Sequence, residues 1–203
     1  YIQEKVQPKA LIDDLRRQGA RGTTAGFSYA FGLQLNVEMP ATDAASVLAY
    51  LRAFACLHDW LEKRADVDLT RRLTAFADPY PLNYVRRLVD HAYRPSLTEL
   101  MDDYLAAMPN RNYALDMLPL FAHLDEPRVR AKVPKGKIKA RPALHYRLPN
   151  CEIDEPGWGL RPLWDDWLVL ERLANDPPHL GELCGRYAHY IDEIARVSPN
   201  TPG

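Results

Sequence analysis

Arg141, His145 and Arg147 recur at intervals of four and two residues in Arg141-Pro142-Ala143-Leu144-His145-Tyr146-Arg147-Leu148-Pro149-Asn150, approached through Lys135, Lys137 and Lys139. In a strand these three side chains share one face, because successive residues point to opposite sides. A row of cations on a sheet face suits a ligand carrying phosphate or carboxylate, since Arg presents a planar fork of donors that matches either group. The pattern is one of anion handling.

Three other groups of residues could take part. Gln34, Asn36 and Glu38 alternate along one face of a second candidate strand. Their oxygens could hold a hard cation such as Mg²⁺ or orient a nucleotide, and equally could be the wet face of a half-exposed antiparallel strand. In Asn110-Arg111-Asn112-Tyr113-Ala114-Leu115-Asp116, Arg111 could reach an anion while Asp116 orients it. Alternatively, Asn110 caps a helix and Arg111 pairs with Asp116 on its surface. Between Arg128 and Arg141 there are seven cations and no acid, which reads either as a phosphate-binding or acidic-partner loop or as a solvated turn around Pro134 and Gly136. His58 reads as a packed helical histidine, and Trp158, Trp164 and Trp167 as core or interface anchors.

The elements that must position these groups follow from periodicity. Residues 1 to 26 form a connecting helix and turn, with Val6, Leu11 and Leu15 apolar among charges, and residues 198 to 203 a frayed tail. From Phe27 to Met39 apolar residues alternate with small or polar ones, as in a strand that ends at Pro40. Thr42 or Asp43 then offers an N-cap for a helix to about Arg64, whose stripe is Val47, Leu51, Phe54, His58 and Leu61. A loop with Asp78-Pro79-Tyr80-Pro81 precedes a helix carrying Leu97, Leu100, Met101, Tyr104, Leu105 and Met108. The basic segment Arg128 to Lys139 links to the cationic strand, and helices follow over Leu163 to Leu173 and Pro178 to Val197. Long helices between isolated strands predict a single α+β domain, an antiparallel sheet covered by helices.

Composition narrows the functions open to such a domain. The 203 residues are 47% hydrophobic and 26% charged with a net charge of -1, enough apolar material for a core. Near neutrality and the lack of aromatics in the basic window argue against nucleic acid. No apolar run approaches the ~20 residues that span a bilayer, and no signal peptide is visible, so a cytoplasmic location is expected. Cys56, Cys151 and Cys184 are odd in number and widely spaced, which predicts buried thiols and neither a disulfide framework nor a zinc site. Nucleophile-elbow, Walker, Rossmann and His-Glu-x-x-His motifs are absent from the sequence.

Taken in order, three segments resemble the amidoligases, carboxylate-amine ligases related to glutamine synthetase and glutamate-cysteine ligase. Phe31-Gly32-Leu33-Gln34-Leu35-Asn36-Val37-Glu38 resembles the superfamily strand bearing His-x-His or Gln-x-Asn. Arg111 with Ala114-Leu115-Asp116 is similar to the Arg-x-x-Ala-Leu-Asn element. His145-Tyr146-Arg147-Leu148-Pro149-Asn150 resembles the Glu-Phe-Arg strand with its following Pro-Asp. The likeness covers residues 27 to 155.

The resemblance implies an incomplete glutamine-synthetase-like sheet on which Mg²⁺-ATP phosphorylates a small-molecule carboxylate and an amine then attacks the acyl phosphate. It implies that Arg111 and Arg147 serve catalysis, that Gln34, Asn36, Lys139 and Arg141 hold nucleotide or substrate, and that Glu38 and His145 hold the metal. His145 stands where the family has Glu, a softer ligand than Mg²⁺ prefers. The family's Gly-x-Glu-x-Glu strand is missing and the chain opens on Tyr1, so the expectation is the C-terminal portion of a longer enzyme, inactive alone. Self-association into a homo-oligomer fits the ring assemblies of related ligases. The rival expectation is a non-catalytic module that engages an acidic partner through loop 128–141.

Overall fold

The computed structural model describes residues 8–22, 33–65, 78–134 and 138–197. Among them are eight helices and one three-stranded antiparallel sheet, the α+β arrangement expected from periodicity. The strands are β1 (Leu35–Glu38), β2 (Leu115–Asp116) and β3 (Ala143–Tyr146), in spatial order β1-β3-β2. The expected strand from Phe27 is therefore seen only in its last part, and residues 27–32 lie outside the described ones. The cationic strand is shorter than the ten residues that suggested it, because Pro142 and Pro149 cannot donate to a ladder. Their carbonyls still accept, from the amides of Met39 and Leu33.

Helix α2 (Ala44–Arg64) is the centre of the packing, against α3 (Leu82–Val89), α7 (Arg161–Ala174) and α8 (Pro177–Val197). Asp43 starts it by accepting from the Ser46 amide, and Lys63 and Arg64 in the last turn suit the negative end of its dipole. Val47, Leu51, Phe54 and Leu61 are buried along it, as the spacing required. Helix α4 (Leu97–Ala107) opens on a Ser96/Glu99 capping box and ends before Pro109.

Several expectations need correction. Helix α3 follows Pro81, where the sequence reading assigns no helix; its eight residues bury Tyr84, Val85, Leu88 and Val89. The basic linker begins as helix α6 (Glu126–Lys132), which follows α5 (Leu118–Leu124) and is capped by the Asp125 carboxylate on the Arg128 amide. In α1 (Pro8–Arg17) it is Ile12 that is buried, while Leu11 and Leu15 are exposed. Of the tryptophans, Trp167 is fully buried and Trp164 exposed. Cys56 and Cys184 are free thiols whose sulfurs lie 3.8 Å apart between α2 and α8. Among the described residues no helix is long and apolar enough to cross a membrane.

Candidate active site

The sheet register decides which side chains meet. Asn36 on β1 pairs with His145 on β3, which pairs on its other side with Asp116 on β2. These three residues thus form one row across a single face, spanning about 10 Å between outer strands. Gln34 joins it beside Asn36, its Nε2 donating to Asn36 Oδ1 at 2.5 Å, and Arg147 joins it two residues beyond His145. The alternate residues Leu35, Val37, Leu115, Leu144 and Tyr146 turn to the other face and into the core. Strand β2 is only two residues long, yet it is held by buried hydroxyls. Tyr80 donates to the Leu115 carbonyl at 2.8 Å, and the Tyr104 oxygen accepts from the Met117 amide at 3.0 Å.

Asp116 is the hub of this face. Its side chain is fully buried, and its Oδ2 accepts from Arg147 Nη2 at 2.9 Å and lies 3.5 Å from Arg111 Nε. Its Oδ1 accepts from the Leu118 amide at 3.0 Å. Burial pushes the carboxyl pKa up, against the two guanidiniums, which pull it down. Every one of these contacts comes from a donor, which is the environment of an ionised carboxylate. Two guanidiniums thus share the one Asp116 carboxylate.

His145 is 6% exposed, and burial, followed by Arg147, Arg111 and Arg141, depresses its pKa to about 4. It is neutral at physiological pH. Its Nδ1 lies 3.4 Å from Arg147 Nη2, and a guanidinium nitrogen can only donate. Nδ1 is therefore the acceptor, and the ring proton sits on Nε2. That Nε2 is buried and has no hydrogen-bond partner among the described residues.

The eight residues expected in the site fall into two sets. Gln34, Asn36, Arg111, His145 and Arg147 come to one sheet face, increasingly buried from β1, where Asn36 is exposed, to β2, where Asp116 is closed off. Glu38 is exposed at the end of the same face, opposite Ala143 and so diagonal to His145. Lys139 and Arg141 are exposed on the approach to β3, with the Arg141 amide anchored to the Pro119 carbonyl. The helix alternative for this segment does not hold: Asn110 caps a turn by accepting from the Asn112 amide, and Arg111 meets Asp116 on a strand and not on a helix surface. Among the described residues no group of three or more His, Cys, Asp or Glu side chains is placed to hold a metal ion.

The basic window is less free than its composition suggests. Arg128 pairs with Asp102 and Asp125, and Arg130 with Glu126, so two of its seven cations are neutralised by acids outside the window. Residues 135–137 lie outside the described ones. What sequence reasoning undervalued is Asp116 itself. It was legible as the one acid inside the apolar run Ala114 to Leu120, where a charge persists only if it is paired.

A family model described as "putative amidoligase enzyme" matches residues 1–169, a span that includes every residue of this face. No curated protein and no solved structure matches the chain.

Proposed function

The chain belongs to the amidoligase family, and on that premise we propose that it is an ATP-dependent carboxylate-amine ligase working through an acyl phosphate. The observation that carries this reading is the convergence of Arg111 and Arg147 on the buried carboxylate of Asp116, with His145 beside Arg147 on the same face of the sheet. A phosphoryl transfer asks a protein mainly for positioning and for neutralising charge on oxygens. Guanidiniums held in place by a buried carboxylate on a strand face suit both demands.

In the first step an oxygen of the substrate carboxylate attacks the γ-phosphorus of ATP, and the bond to the bridging oxygen of ADP breaks. In the second the amine nitrogen attacks the acyl carbon, the carbon–oxygen bond to phosphate breaks, and the departing phosphate takes the proton that the nitrogen sheds. Arg147 and Arg111 bind the carboxylate or γ-phosphate oxygens, held in place by Asp116. Gln34 and Asn36 at the open edge of the face contact the nucleotide phosphates, with Lys139 and Arg141 on its approach. His145 steadies Arg147 by accepting from it through Nδ1, with its ring proton on the buried Nε2. To bind metal through Nε2 it would have to move that proton to Nδ1, against the Arg147 donor. The Mg²⁺ implied by the resemblance would then be one carried in by the nucleotide, with Glu38 as the exposed carboxylate of the face.

The test is ADP release by the full-length protein with a panel of amino acids as carboxylates and amines, using ¹⁸O-labelled carboxylate. ADP that forms only when acid and amine are both present, with ¹⁸O passing into phosphate, is the expected result. ADP release without isotope transfer excludes the acyl phosphate. Full turnover by Arg147→Gln removes the sheet face from the mechanism.

A further inference from the structure

A second site lies among the helices and shares no residue with the sheet face. A cavity of about 450 Å³ opens between the first half of α2, the loop joining α3 to α4, and the start of α8. That volume is in the range of small-molecule sites. Leu48, Ala49 and Leu180 belong to its apolar wall, and Arg52, His91, Arg94 and the Cys184 thiol to its polar one; no acid is among the described residues that line it.

The two arginines are held together on one backbone oxygen, with Asp90 the acid that acts on Arg52 through space. Arg52 is half-buried and caps carbonyls at the end of α3, its Nε donating to Leu88 O at 2.6 Å and its Nη2 to Asp90 O and Tyr93 O. Arg94 Nη1 turns to the same Tyr93 oxygen at 3.4 Å. Neither forms an ion pair among the described residues. Asp90 accepts from the Ala92 amide and acts on Arg52 without pairing with it, while the other nearby acids are engaged elsewhere: Glu99 with Ser96, Asp102 with Arg128, and Asp103 with Arg87 and Tyr93. Two guanidiniums on one carbonyl oxygen repel each other, and an anion between them relieves that repulsion.

We propose that this cavity binds a small carboxylate with an apolar body, its carboxylate between Arg94, Arg52 and His91 and its hydrocarbon part along Leu48, Ala49 and Leu180. The single cluster of cations at one wall fixes one anionic end. The apolar remainder selects against inorganic anions, which have nothing to place there.

The experiment is calorimetric titration of the full chain with 3-phenylpropanoate, its neutral amide and inorganic phosphate. Saturable binding of the acid is expected, with the amide and phosphate each weaker by about tenfold or more, the worth of a charge-assisted contact in the first case. Arg94→Gln, at an exposed position, should weaken the acid about tenfold, and Ala49→Leu, which fills the cavity, should abolish binding. Arg147→Gln should leave it unchanged, so the outcome is independent of the ligase reading. No saturable binding, equal binding of acid and amide, tighter binding of phosphate, or loss in Arg147→Gln but not in Ala49→Leu each overturns the proposal.

Discussion

The two faces of the sheet are built from the same few residues read alternately, and they are stabilised in opposite ways. On one face Tyr146 packs against Phe54 and Trp167, with ring centroids 6.4 and 5.3 Å away, and Leu35, Val37, Leu115 and Leu144 complete the layer. That face gains from apolar area and from close packing, and neither depends on pH. On the other face Asp116 and His145 are buried with two guanidiniums beside them. There each group is tolerated only because of its neighbours. Removing a side chain from the first face costs the contacts it made, whereas removing one from the second exposes the charge it was balancing.

The sharpest way to break the comparison is Asp116→Ala. It removes the buried carboxylate that Arg147 and Arg111 share, and stability should fall by about 4 kcal/mol, the cost of breaking a buried pair from one side. Adding Arg147→Met should recover part of that loss, because the second substitution removes the stranded charge. Urea denaturation of the two variants measures both, and a single-variant loss under about 1 kcal/mol would mean that the pair is not the support of the face. Across the sheet Leu144→Ala should cost about 3 kcal/mol as a transfer and cavity effect. No second-site change of charge should rescue it.

The division into faces was legible in the sequence, since alternation at 34–38 and 143–147 assigns each residue its side. The long helices were legible too, from caps such as Asp43 and Ser96 and from their apolar stripes. Helix α3 was not, because eight residues give barely two turns of period, and Arg86 and Arg87 interrupt the apolar positions. Helix α6 was hidden for another reason: only Val129 is buried along it, so it has no stripe to find. The pairing of Arg128 with Asp102 bridges 26 residues, and no local pattern could announce it. For the site, three motifs supplied the cations and amides. The role of Asp116 depended on β2 pairing with β3, a long-range contact of two residues only.

A smaller effect separates the faces by pH. His145 titrates at about 4 in the folded chain, against an ordinary value near 6.5 in an unfolded one. The unfolded ring therefore takes up its proton first as pH falls. Its contribution is complete above about pH 6.5 and is lost on the way to pH 4, amounting to at most about 3 kcal/mol. His145→Gln should flatten the stability profile over that window, while Leu144→Ala should lower the profile and keep its slope. A slope unchanged by His145→Gln would show that the ring is already solvated.

The smallest expected change in stability tests whether the open edge of the polar face serves binding alone. Asn36 is exposed, and its contact is with Gln34 on its own strand segment. Asn36→Ala should thus alter stability by no more than about 0.5 kcal/mol, as surface substitutions do. If the row Asn36, His145 and Asp116 runs from a binding edge to a structural one, the proposed ligase should show a thermal shift with ATP and the same variant should reduce it. A variant that loses stability but keeps the full ATP shift would reverse that order, placing structure at β1 and leaving the binding role to Arg111 and Arg147.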